Sequence, residues 1–195
     1  MKMFITRLAV AALLSGPLYS EAQKLTLKDG DLSPLKDQTS INFEFTYDNM
    51  SVGKFDTEKE YIDKKTEEYN KKEPGRGDNW AKSWVADRES RFRPKFIELF
   101  TKESDMSESK TAKYTIIFKT KFIEPGYNIG ITRKNARIDA DAVVVETADK
   151  SKVIATITVD KALGRTFGGF DFDTGMRLAE AYADAGKALG KFVKK

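Results

Sequence analysis

The chain contains neither cysteine nor histidine. Without cysteine, no disulfide can staple the fold and no thiolate is available for catalysis or for carrying a lipid. Without histidine, the commonest general base is missing, and so are the Ser–His and Cys–His nucleophile pairs and most zinc sites. Any chemistry must rest on carboxylates, Lys, Arg, Tyr, Ser or Thr. Long apolar runs are scarce too: Leu8 to Leu14 is far shorter than the roughly 20 residues that span a bilayer as a helix. Neither charge sign dominates. The 34 Lys and Arg are interspersed with 30 Asp and Glu, which leaves no basic block of the kind that marks a nucleic-acid partner.

The opening residues, MKMFITRLAVAALLSGPLYSEAQ, have the order of an export signal. Lys2 and Arg7 precede the apolar run, Gly16-Pro17 break it, and Ser20 and Ala22 occupy a small-residue cleavage site. Residues 1–22 are expected to be a signal peptide, with Gln23 starting a soluble mature chain that is periplasmic or secreted. Without Lys2, Arg7 and Glu21 the net charge falls from +4 to +3. With 40% hydrophobic and 11% aromatic residues, residues 23–195 can bury a core and read as a single domain.

Residues 23–38 read as a polar arm with a short strand at Leu25 and Leu27. In SINFEFTYD, Ile41, Phe43, Phe45 and Tyr47 alternate with Asn42, Glu44 and Thr46, the period of a strand with one buried face. A helix follows, with Thr57 and Glu60 as a capping box and Pro74-Gly75 as its stop. The next helix starts at an Asp78 or Asn79 cap and carries Trp80, Trp84 and Val85, then Phe92, Phe96, Leu99 and Phe100. Pro94 either kinks it or opens a second helix. Residues 114–122 alternate as a strand, and Val143–Val145 and Val153–Val159 flank a hairpin connection. Last comes a helix with the stripe Leu178, Tyr182, Ala185, Leu189 and Phe192, beside a second row of Ala179, Ala183, Gly186 and Gly190. Strands of this kind with helices predict an α+β two-layer sandwich, a mainly antiparallel sheet of four to five strands with helices packed on one face.

Three motifs suggest chemistry, and each has a simpler structural reading. FDFDTG contains the Asp-Thr-Gly of aspartic proteases, but a single copy running into a helix reads as a cap at Asp173 or Thr174. Gly164, Gly168 and Gly169 match neither the dinucleotide fingerprint nor the P-loop. Arg76-Gly77-Asp78 is the triplet that integrins read on exposed loops, although Asp78 can equally cap a helix. The carboxylate pairs Asp139/Asp141 and Asp171/Asp173 have the i,i+2 spacing that arises by chance among many acidic residues, and no acidic segment has the ligand spacing of an EF-hand.

The C-terminal hairpin, the GRTFGG link and the helix DTGMRLAEAYADAGKALGKF resemble small secreted proteins of unknown function from Bacteroides-type Gram-negative bacteria. More distantly they resemble envelope domains of the curli-secretion-lipoprotein and TolB N-terminal kind. The resemblance implies a compact periplasmic α+β domain used in envelope assembly or binding, and it carries over no catalytic residue. The chain departs from the curli-type lipoproteins in having no cysteine to lipidate.

These readings lead to a non-enzymatic periplasmic or secreted protein that binds or assembles with an envelope protein or glycan. The alternative is a carboxylate-dependent hydrolase acting on polysaccharide or peptide. No metal, cofactor or catalytic residue is assigned, and the oligomeric state is left open. Trp80, Tyr127 and Phe170 are the aromatic residues expected to make contact with a partner.

Overall fold

The computed structural model of the protein describes residues 23–129, 132–165 and 173–195. The expected signal peptide and Phe170 lie outside these residues. In chain order the elements are β1 (Lys24–Gly30), β2 (Ser40–Thr46), β3 (Ser51–Val52), α1 (Glu58–Asn70), α2 (Arg76–Asp87), α3 (Arg93–Ser104), β4 (Ser107–Glu108), β5 (Tyr114–Glu124), β6 (Tyr127–Ile129), β7 (Thr132–Lys134), β8 (Ala136–Glu146), β9 (Val153–Gly164) and α4 (Thr174–Val193). The class is α+β. No described helix is long and apolar enough to cross a membrane.

The sheet is larger than the alternation predicts, and it is mixed. Seven strands run in the order β1-β9-β8-β5-β2-β4, with β3 also alongside β5. β1, β9, β8 and β5 each run antiparallel to the next, whereas β2 and β3 pair parallel to β5, and β4 pairs parallel to β2. Two strands escape a sequence reading because two residues cannot display a period. The parallel pairing escapes it because direction belongs to the connection. A parallel neighbour needs a crossover of a dozen residues or more, and α1, α2 and α3 fill that crossover between β2 and β5. The short strand expected at Leu25 and Leu27 is present as the edge strand β1, with Leu25 opposite Val159 and Leu27 opposite Ile157, and beyond it Leu35 is fully buried.

The helix layer is built on phenylalanine and alanine. Phe43 and Phe45 of β2 and Phe118 of β5 meet Phe96 and Phe100 of α3, with ring centroids 4.7–5.8 Å apart. On the neighbouring strand β8, Ala136, Ala140 and Ala142 are fully buried, and such small side chains let α4 lie close. Both predicted rows of α4 are used. Leu178, Tyr182, Ala185 and Leu189 are completely buried, and Tyr182 stacks on Phe92 at 4.9 Å while its hydroxyl meets Thr120 Oγ1 at 2.8 Å. Burial pushes the Tyr182 phenol well above its usual range, so it acts as a neutral hydrogen-bonding group. The glycine row faces α3: a Cβ at Gly186 would lie 2.2 Å from the Phe96 carbonyl oxygen, and one at Gly190 would lie 2.6 Å from that of Phe100.

The helix punctuation is partly as read. Thr57 accepts from the Glu60 amide at 3.2 Å. Asp173 caps α4, accepting from the Met176 amide at 3.1 Å. The start of α2 differs, because Gly75, in a left-handed conformation, is the N-cap. Arg76-Gly77-Asp78 is therefore helical. Gly77 is buried and donates to Asn70 Oδ1 at 2.7 Å, and Asn70 Nδ2 donates to Asp78 Oδ2 at 3.2 Å. α2 passes through a π-helical turn, Arg88–Phe92, into α3, with Pro94 in the first turn of α3; the helical run is unbroken, and the wider turn stands just where the proline, lacking an N–H, cannot join regular i to i−4 bonding.

Two outcomes follow from this packing. Gly186→Ala improves helix propensity by about 1 kcal/mol yet forces α3 and α4 apart, so a net loss of roughly 1–3 kcal/mol is expected from overpacking, read as a lower urea midpoint. Because the Arg-Gly-Asp triplet is locked in a helix, Asp78→Glu should leave cell attachment to the protein at the wild-type level in an adhesion assay.

Candidate functional site

One face of α2 carries Trp80, Trp84 and Asp87, and the π turn adds Arg91, giving spacings of four, three and four. That is the spacing of neighbours along a helix face. The first two are large and aromatic, and the next two are charged. Across from them the chain brings the N-terminus of α4, and α1 contributes Tyr69. Together they line a cavity of about 380 Å³ that also includes Ser83, Thr174 and Gly175.

The aromatic wall is a run of edge and tilted contacts. Tyr69 and Trp80 are 5.7 Å apart at 70°, Trp80 and Trp84 are 5.7 Å apart at 33°, and Tyr61 lies 5.0 Å from Trp84. Trp84 is anchored from behind: its indole N–H donates to Glu58 Oε1 at 2.5 Å, and Arg88 bonds the same oxygen. Arg88 in turn lies 4.2 Å over the Tyr47 ring. Trp84 is 5% exposed and belongs to the core, whereas Trp80 packs against the core while staying partly open to the cavity.

The opposite wall is ionic. Arg91 bridges two carboxylates, with Nε 3.0 Å from Asp87 Oδ1 and a terminal nitrogen 2.6 Å from Asp173 Oδ2. Burial pushes the Asp87 carboxyl up, with Asp173 adding to the rise and Arg91 opposing it. Burial also opposes ionisation of Asp173, but the bonds from Arg91 and the Met176 amide outweigh it and hold that carboxyl below its ordinary value. The hydrogen bond to Asp173 raises Arg91 further, so all that changes with pH here is the carboxylates. Gly175 permits the closeness: a Cβ there would fall 2.0 Å from Asp87 Oδ2. One turn on, Arg177 is 4% exposed. It donates to the carbonyls of Pro125 and Gly126 at 3.1 and 3.3 Å and to Thr174 Oγ1 at 3.0 Å, which fixes the cavity's α4 edge to the end of β5.

A second cavity of about 530 Å³ shares Arg91 and Asp173 with the first. It continues past them along α3 and α4 between Pro94, Lys95, Met176 and Ala179, with Glu98 and Glu180 at its sides. The ion pair thus lies where two hollows adjoin.

Of the residues singled out from sequence, Trp80 lines the site and Phe170 lies outside the described residues. Tyr127 is on β6 and 44% exposed; it takes no part in either cavity. The Asp139/Asp141 pair points elsewhere, Asp139 to Arg137 and Asp141 to Lys121, while Asp171 is not among the described residues. Asp87, Arg91 and Tyr69 were missed. The 80, 84, 87, 91 spacing was the available signal for the first two. Nothing local marks Tyr69, which reaches the site only because α1 folds back on α2.

The sequence matches no family profile and no curated protein. Among solved structures it is similar to the PelC dodecamer from Paraburkholderia phytofirmans, with a TM-score of 0.38 and 10% identity over 84% of this chain and 96% of that one. It is also similar to a point variant of that dodecamer, at 0.38 and 8% over 84% and 97%. Likeness at that level assigns this chain neither a fold family nor an activity.

The charge arrangement predicts a pH signature. Asp173 has a lowered native pKa, so its stabilisation is complete above the ordinary carboxylate value of about 4 and is lost as pH falls through the native value. Asp173→Asn retains a capping side chain but loses the ion pair. The variant should unfold at lower urea than wild type at pH 7, and the gap should close in acid. A gap that stays constant across pH would contradict the assignment.

Proposed function

We propose that the protein is a non-enzymatic binding protein of the periplasm or cell exterior that takes a glycan of the cell envelope in the cleft beside Trp80. The export-signal pattern at Lys2 to Ala22 supports the compartment. The observation that carries the ligand class is the pairing of an aromatic wall with a fixed polar wall. The part of the Trp80 indole open to the cavity can pack on the apolar C–H face of a sugar ring, and the Asp87–Arg91–Asp173 array offers directional bonds to its hydroxyls.

The hydrolase reading has one observation in its favour, the raised carboxyl of Asp87, which suits a general acid. Against it, one guanidinium engages both carboxylates. Glycoside hydrolysis needs one acid protonated and its partner placed for attack or for activating water, and an arginine between them disfavours the protonated form.

A glycan array followed by calorimetry on the mature chain separates the two readings. A bound glycan is expected to be recovered intact, and Trp80→Ala should weaken its binding by about tenfold or more, in line with loss of a stacking aromatic. Release of reducing ends that disappears in Asp87→Asn would establish the hydrolase instead. Equal affinity in wild type and Trp80→Ala would remove the cleft as the site.

A further inference from the structure

The feature that the cleft leaves unexplained is the hairpin bearing Tyr127. Pro125 and Gly126, the latter at φ 64°, end β5 and release the chain into β6 and β7. These two strands pair only with each other, apart from the main sheet. Their register sets Tyr127 opposite Lys134, Asn128 opposite Arg133 and Ile129 opposite Thr132. Side chains alternate along a strand, so Tyr127 and Ile129 share one face and Asn128 takes the other. Asn128 is 6% exposed, whereas Tyr127 is 44% and Ile129 57% exposed. The hairpin thus leans its Asn128 side inward and turns its apolar side out. Ile129 is the most exposed large hydrophobic residue among those described.

Charge at this end of the sheet is one-sided. No Asp or Glu occurs between Glu124 and Asp139, while Arg133, Lys134 and Arg137 do. Gly164 pairs with Ala136, which brings the exposed Arg165 to the same end. Lys134 and Arg137 are ion-paired to Glu124 and Asp139; the four cations still outnumber these two anions by two.

From this arrangement we propose that the outward face of β6 and β7 docks on an anionic lipid surface, with Tyr127 and Ile129 entering the interfacial layer and the basic residues meeting lipid phosphates. Tyrosine favours that depth because its ring is apolar and its hydroxyl can remain hydrated. Arg and Lys lay apolar stems along the surface while their charged ends stay with the headgroups. A protein partner fits less well. A stable protein interface buries about 800 Å² on each side, far more than two outward side chains on a three-residue strand provide. Two weak signals together, apolar insertion and electrostatic attraction, suit reversible lipid binding. This inference does not depend on the glycan cleft.

Vesicle co-sedimentation of the mature chain tests it, using phosphatidylcholine alone and phosphatidylcholine mixed with phosphatidylglycerol. Binding is expected only with the anionic lipid and should weaken as salt screens the attraction. Ile129→Ser and Tyr127→Ser should each reduce it several-fold, and Arg133→Gln should reduce it at low salt. These sites lie off the core, and unchanged circular dichroism and thermal unfolding would confirm that the variants fold. Failure of wild type to bind either vesicle overturns the proposal, as does equal binding by Ile129→Ser. Concentration-dependent self-association without lipid, abolished by Ile129→Ser, would assign the face to a second copy of the chain and would likewise overturn it.

Discussion

The close seating of α4 against α3 and the sheet is the constraint on which the remaining structure depends. Two of its contacts leave no room for a side chain, Gly186 against the Phe96 carbonyl and Gly190 against that of Phe100, and Gly175 lies against the Asp87 carboxylate. Each glycine costs helix propensity, and the gain is burial on two sides at once. The alanine face of β8 receives one side of α4, and the phenylalanine-bearing α3 receives the other. With no disulfide available, this dense contact and the aromatic cluster of Phe43, Phe45, Phe96, Phe100 and Phe118 supply the packing that holds the layers together.

The same seating builds the cleft. Because α4 begins where α2 ends, its capping residue Asp173 falls within reach of Arg91, and Asp87 faces the first turn of α4. An arginine shared by two carboxylates ties all three groups into one wall of the cleft. Arg177, one turn further, reaches the Pro125 and Gly126 carbonyls. That places the root of the β6–β7 hairpin and the edge of the cleft on a single buried guanidinium, and links the two surfaces of the protein physically.

Much of the fold was legible because local periodicity reports burial directly. The alternation Ile41, Phe43, Phe45 marked β2, and the four-three spacing from Leu178 to Leu189 marked α4, including the glycine row that closes on α3. The Thr57 and Asp173 caps were also readable, since a capping oxygen bonds an amide only two or three positions away. Legibility failed where partners lie far apart in sequence. β3 and β4 exist because longer strands lie beside them. The Arg-Gly-Asp triplet is helical because Gly75 starts α2 three residues earlier than an acidic cap would. The spacing places Asp87 and Arg91 on the helix face that carries Trp80, but their meeting with Asp173 could not be read from it.

The sequence by itself determined the α+β class, the positions of the main helices and strands, and the exclusion of every chemistry that needs cysteine or histidine, since each depends on residue type or local spacing. Only the tertiary structure decided that β2 runs parallel to β5, that Asp87, Arg91 and Asp173 form one ionic unit, and that Tyr127 stands apart from Trp80. Those facts depend on which segments meet after the chain crosses over itself. Arg91 and Asp173 are separated by most of the sheet in sequence, and only the packing of α4 on α3 brings them within hydrogen-bonding distance.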